Sequence, residues 1–164
     1  MRRRYTVVVF LVLASLDNVA AGLAPPLYKP IAREFDVTEA AIAATTAAAF
    51  LVTAVASVAW GYLGDRSDRK PLLMLGTLIW ATGTLGSGLA PNYGLFLASQ
   101  VIGAVGLGAV GSIGFSVVSD LIAPRRRGLV MSLWGLSQGV GTLAGGLLGG
   151  LLGAYEWRRP FFAI

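Results

Sequence analysis

The 164-residue sequence contains no cysteine and no histidine. Without thiols there is no disulfide or thiolate chemistry, and without imidazole there is no histidine base or histidine metal ligand. Charge is also scarce, at 13% of residues, about half the ~25% of an ordinary soluble domain. With 55% hydrophobic residues, the composition is that of a membrane protein. No nucleophile paired with a base, no metal cluster and no phosphate-binding loop stands in the sequence. The reading is therefore not an enzyme, with no cofactor, no metal and no direct use of ATP. A net charge of +5 raises nucleic acid as a partner. The positive residues, however, fall in short clusters between apolar runs and form no basic face interleaved with aromatics, so no nucleic acid is expected.

Apolar runs of membrane-spanning length are what the sequence does have. A helix needs about 20 mainly apolar residues to cross a bilayer core, and five stretches meet that: about 6–24, 40–62, 71–90, 93–118 and 128–154. The first is too long, and followed by too many like it, to be a signal peptide. Asp36 or Thr38 is placed to cap the second helix, Pro71 suits the first turn of the third, and Pro91-Asn92 makes a turn before the fourth. After the fifth, "EWRRPFFAI" stops where a sixth span would begin. Residues 1–164 thus read as one all-α unit.

Lys and Arg in short loops favour the cytoplasmic side. Arg2, Arg3, Arg4, Arg66, Arg69, Lys70, Arg125, Arg126 and Arg127 fall on one side; Lys29, Arg33, Arg158 and Arg159 fall on the other. The bias places the N-terminus inside and the Asp65–Lys70 loop in the cytoplasm. The expected location is an integral membrane protein, in the cell membrane.

That loop carries the most specific pattern in the chain. "GYLGDRSDRK", Gly61 to Lys70, resembles the signature loop of the major facilitator superfamily, G-x-L-x-D-R-x-G-R-[RK], and departs from it at Asp68, where glycine would permit a left-handed backbone that Asp also tolerates. "LDNVAAGLAPPLYKPIAREFDV" is similar to the family's first helix and outer loop, and "WRRPFF" to the start of its sixth helix. A narrower resemblance, to spinster-like members associated with lysolipid and sphingolipid export, rests on the loop, on "VVSDLIAPRRRGLVMSLW" and on Asp17-Asn18.

The resemblance implies five helices of a six-helix N-terminal half, truncated at the start of helix six, that pairs with a missing C-terminal half and moves a small-molecule substrate through membrane lipid by alternating access. It also implies that Gly61, Gly64, Asp65, Arg66, Arg69 and Lys70 form a gating loop, completed by the acidic Asp120. If the loop is a short turn, Asp65 and Arg69 pair across it. A rival reading is a non-transporting receptor or assembly subunit built on the same fold.

Three further features bear on a transport path. Glycines four apart, Gly135 with Gly139, Gly141 with Gly145, and Gly149 with its neighbours on either side, expose backbone for close helix packing. The family's antiporters often carry Gly-Pro in this helix, where this chain has Gly139-Val140. Gln100 stands where many members place an arginine; it can hydrogen-bond substrate without carrying charge. Asp17, about 16 Å along the first span at 1.5 Å per residue, sits near the bilayer midplane. An acid there costs about 2.5–3.5 kcal/mol and is a functional candidate by default, with Asn18 beside it. Desolvation would raise its pKa and allow reversible protonation. Substrate class, by the sequence alone, is a small or amphipathic solute.

Overall fold

The computed structural model describes residues 2–121, 125, 127–153 and 155–162, without the side chains of 2–14, 16, 17, 20, 118, 119, 121 and 127. Six helices follow one another among them: α1 (Arg2–Glu34), α2 (Glu39–Arg66), α3 (Arg69–Leu89), α4 (Tyr93–Leu121), α5 (Arg127–Gly153) and the short α6 (Arg159–Phe162). The fold is all-α. Three helices among the described residues are long and apolar enough to cross a membrane: Glu39–Arg66, Arg69–Leu89 and Tyr93–Val117. α5 reaches spanning length at 27 residues, but its many glycines, nearly neutral in hydropathy, dilute its apolarity.

α1 runs well past the expected boundary near residue 24, straight through Pro25, Pro26 and Pro30. Each proline forfeits one i→i−4 bond. The helix persists because Leu23, Leu27, Ile31 and Ala32 on this segment are all buried. It stops at a left-handed residue, Asp36, with φ of 52°. The Val37 amide then donates back to the Ala32 carbonyl at 3.0 Å, which satisfies an end carbonyl of α1. Thr38, rather than Asp36, caps α2, its Oγ1 accepting from the Ala41 amide at 3.2 Å. Asn92 Oδ1 does the same for α4 through the Leu95 amide at 2.9 Å.

The α2–α3 connection differs from the sequence expectation. Asp68 has φ of −61°, so no left-handed residue is needed. α3 restarts at once with Asp68 as its extended N-cap, and a turn this tight is made by two extended residues, Ser67 and Asp68.

Two seams organise the bundle. α1 packs along α5, and α4 lies between α2 and α3. In the first seam a side-chain carbon at Gly141, Gly145 or Gly149 would run into the backbone of Ser15, Val19 or Leu23, and one at Gly22 into that of Thr142. In the second, Gly76, Gly83 and Gly106 bring α3 and α4 into backbone contact, while Gly108 abuts Thr53 and Ser57 of α2. Backbone contact of this kind replaces the hydrophobic drive that lipid does not supply. Gly135 and Gly139, expected to pack with the rest of the series, lie on the other side of α5, where nothing described comes within 4 Å of a built side-chain carbon.

The two ends of the bundle are stitched differently. At the end carrying Arg158, Leu23, Leu27 and Ile31 of α1, Ile42 of α2, Ala90 after α3, Phe96 of α4 and Trp157 before α6 share one buried cluster. At the end carrying Arg69, the cluster of Trp60, Ala109 and Ile113 draws only on α2 and α4, with α3 packed against it through Leu72, Leu73 and Ile79. Outside these clusters the surface is apolar, with Leu51, Val58, Leu78, Leu143 and Leu147 all exposed. That inversion suits lipid or a further protein surface as the surroundings.

Candidate functional site

A cavity of about 110 Å³ opens among α1, α2, α3 and α4. α1 supplies Ala21, Ala24 and Tyr28, α2 Thr46, Phe50 and Thr53, α3 Trp80, Thr84 and Ser87, and α4 Ser99, Gln100 and Leu107. Small residues on α1 create the room, and aromatic rings bound it. Most of the hydroxyls spend their protons on their own helices: Thr53 Oγ1 donates to the Ala49 carbonyl at 2.9 Å, Thr84 Oγ1 to Trp80 at 3.0 Å and Ser87 Oγ to Gly83 at 2.8 Å. They face a guest as acceptors. Gln100 is half-buried in the wall and makes no hydrogen bond to a described residue, so its carboxamide is available in both senses. No described lining residue is charged.

Of the other candidates for substrate or proton contact, Asn18 lies on the α5 side of α1, its Cβ against Gly141. It is absent from the described cavity wall. The Asp17 side chain lies outside the described residues. Its position on the helix is nevertheless informative. Ala21, Ala24 and Tyr28 recur at four, seven and eleven residues beyond it, the spacing of one helical face, so position 17 continues the cavity-lining stripe by one turn.

The loop candidates gather at the Arg69 end. Arg69 Nη1 donates to Asp120 Oδ2 at 2.5 Å, and its Nε to the Gly64 carbonyl at 3.4 Å. The partner of Arg69 is thus Asp120 on α4 rather than Asp65. The two extended residues between α2 and α3 break the helical register that would have set Asp65 and Arg69 one turn apart. Asp65 and Lys70 are exposed, and the Arg66 guanidinium lies over the Tyr62 ring at 4.1 Å. Gly64 is filled against Ile113, whereas Gly61 faces open space. The Arg69 and Asp120 side chains are 32% and 61% exposed. An ion pair so accessible to water is worth about 1 kcal/mol or less. It suits a contact that is made and broken, and contributes little as a staple.

The sequence reading missed a denser network at the opposite end. Arg158 donates to Glu34 Oε1 at 2.5 Å and to the Gly88 and Ala90 carbonyls at 2.8 and 2.9 Å, and its guanidinium lies 4.6 Å from the Trp157 ring centre. The Trp157 indole N–H donates to Glu34 Oε2. Phe35, Phe96, Trp157 and Phe161 stack edge-on or tilted around it, with centroids 5.6–6.3 Å apart. One arginine therefore ties the ends of α1 and α3 to the start of α6. The Arg158 hydrogen bond, and next that from Trp157, hold the Glu34 carboxyl below its usual range, against a smaller opposing effect of burial. "EWRRPFF" held the signal: an arginine beside a tryptophan in an otherwise apolar chain. Its acid partner lies 124 positions away, which no local pattern reveals.

Residues 8–164 match the sequence profile described as Major Facilitator Superfamily. Among curated relatives, an MFS-type transporter of Aspergillus terreus is 31% identical over 82% of this chain and 24% of its own length. A multidrug transporter of Candida glabrata is 27% identical over 88% of this chain and 25% of its own. Citrate exporter 1 of Aspergillus niger is 24% identical over 82% and 27%. The chain spans about a quarter of the length of the relatives it matches.

Proposed function

The chain belongs to the major facilitator superfamily, and from that membership we propose that it forms the N-terminal half of a secondary-active transporter that works by alternating access against a second half. The relatives' fourfold greater length supports a second half, as do the exposed apolar faces of α2 and α5. The cavity among α1–α4 is the part of the binding site this half contributes, with Gln100 as a neutral polar contact. The loop from Gly61 to Lys70, with Asp120, is the reversible latch. Relatives named as a multidrug transporter and a citrate exporter handle unlike molecules, so the substrate class follows from the wall itself. Uncharged lining residues bounded by Trp80, Tyr28 and Phe50 suit a small or amphipathic solute.

The observation that carries the coupling is the register of Asp17, one turn along the cavity stripe from Ala21. An acid on that face near the bilayer midplane changes protonation as the cavity is alternately wetted and closed, and so links solute movement to protons. In proteoliposomes holding the complete transporter, an imposed pH gradient should drive accumulation of radiolabelled neutral and cationic amphiphiles. Asp17→Asn should abolish that accumulation while leaving downhill exchange within about threefold of wild type. Equal gradient-driven accumulation by both proteins removes Asp17 from coupling; absence of flux in wild type removes the transporter reading.

The arginine and lysine bias supports a cytoplasmic N-terminus and α2–α3 loop. Single cysteines at Ser67 and Asn92 in this cysteine-free chain should react with an impermeant thiol reagent from opposite sides of sealed cells, Asn92 from outside. Labelling of Ser67 from outside overturns the orientation.

A further inference from the structure

Trp60 donates its indole N–H to the Val105 carbonyl at 2.8 Å, and Trp157 donates to Glu34. Trp80 and Trp134 donate to no described residue. Trp134 stands near the start of α5, within reach of the membrane interface, where headgroups and water serve such a group. Trp80 stands at the middle of the 21-residue α3, where lipid offers no acceptor. Every buried side-chain nitrogen and oxygen among the described residues has a hydrogen-bond partner, so the Trp80 N–H is not sealed into the packing. It opens on accessible space, and the space beside it that can hold an acceptor is the cavity whose wall Trp80 forms.

Gln100 adds a second free donor to the same wall. The Trp80 backbone packs against Gly103 and Gly106 of α4, within two turns of Gln100, whose carboxamide makes no hydrogen bond to a described residue. The wall hydroxyls have the opposite bias, because Thr53, Thr84 and Ser87 have spent their protons on helix carbonyls. The two kinds of group do not weigh equally. An N–H cut off from water and left unpaired costs the full desolvation of that group, whereas a hydroxyl that already donates has met one of its bonds. The donors therefore set what a guest must bring.

We infer that this cavity takes uncharged solutes bearing carbonyl or sulfonyl oxygens on an apolar, ring-containing body, the oxygens accepting from the Trp80 indole N–H and the Gln100 carboxamide. This substrate class rests on the cavity's role as a transport site. Water meets both donors in the empty cavity, and a guest that displaces the water must replace its bonds. An ammonium group brings no acceptor, and Asp17, which takes up and releases a proton in the coupling proposed above, gives it no permanent counter-ion. A carboxylate brings acceptors, but no described lining residue is a cation to offset its lost hydration. The rings of Tyr28, Phe50 and Trp80 serve the apolar body.

Radiolabelled probes on one scaffold separate the chemistries: N,N-dimethyl-4-phenylbutanamide, 4-phenylbutanoate, trimethyl(4-phenylbutyl)ammonium and pentylbenzene. Binding to the complete transporter in lipid nanodiscs, above that of empty nanodiscs, should be roughly tenfold or more tighter for the amide than for the others. Trp80→Phe, which keeps a ring and removes the N–H, and Gln100→Leu should each cut the amide's advantage over pentylbenzene about three- to tenfold. The ratio discounts any general loss of cavity shape, which weakens both probes. Tighter binding of the ammonium or the carboxylate, equal binding of amide and pentylbenzene, or an advantage unchanged in both variants overturns the substrate class. Flux is read apart, in the pH-gradient assay above. Wild-type flux with no preference for the amide removes the substrate class and leaves the transporter; preference for the amide without flux removes the transporter and leaves the binding chemistry.

Discussion

Gly145→Leu should lower the stability of the bundle by about 3 kcal/mol, the upper range for forcing bulk into a packed interface, while Gly139→Leu stays within about 0.5 kcal/mol of wild type. The two positions lie six residues apart on one helix, and a sequence scan for small residues four apart treats them alike. At Gly145 a side chain would collide with the Val19 carbonyl and with Gly22. Backbone cannot step aside as the tip of a side chain does, so α1 and α5 would have to part along the seam. At Gly139 the added atoms meet open space, and leucine also favours the helix over glycine. Thermal unfolding in detergent, read by tryptophan fluorescence, should show a midpoint drop of roughly 6–12 °C for Gly145→Leu. Equal drops for the two variants would mean that Gly139 also lies in a tight interface.

Arg158→Ala should cost about 2 kcal/mol, because it removes a charge-assisted bond to Glu34 and two bonds to the last carbonyls of α3 in a partly buried setting. Those carbonyls, at Gly88 and Ala90, have no further helical turn to accept from. The pH dependence follows from Glu34. Its carboxyl is depressed in the folded chain, chiefly by the Arg158 hydrogen bond and next by that from Trp157. A depressed acid contributes stability above its unfolded pKa, about 4.3, and that contribution is lost as pH falls through the lower folded value. Wild type should therefore lose stability in a step below about pH 4.3. Glu34→Gln should start lower at neutral pH and lack the Glu34 part of that step, and Arg158→Ala should show it reduced. Parallel acid curves for wild type and Glu34→Gln, measured by the same fluorescence midpoint between pH 3 and 7, would show that the Glu34 carboxylate adds nothing to stability.

The sequence by itself determined the fold class and the helix order, and it does so for local reasons. Apolar runs of about 20 residues span lipid as helices, a cap at Asp36 or Thr38 and the Pro91-Asn92 turn mark helix starts, and the loop from Gly61 to Lys70 carries enough specified positions to identify the family. Gln100 was legible as a neutral substitute at a position where charge is common, and the structure sets it in a cavity wall. Tertiary structure decided what depends on which faces meet. Whether a glycine packs, as Gly145 does, or faces open space, as Gly139 does, is set by the rotation of α5 about its own axis, which the four-residue spacing does not encode. The partner of Arg69 became Asp120 because two extended residues reset the register between α2 and α3, and α4 packs along α3. The join between Glu34 and Arg158, like the meeting of Phe35 and Trp157, unites residues far apart in the chain. Such pairs exist only once the helices have packed, because hydrogen bonds and ring contacts act over a few ångströms while the sequence specifies only neighbours along the chain.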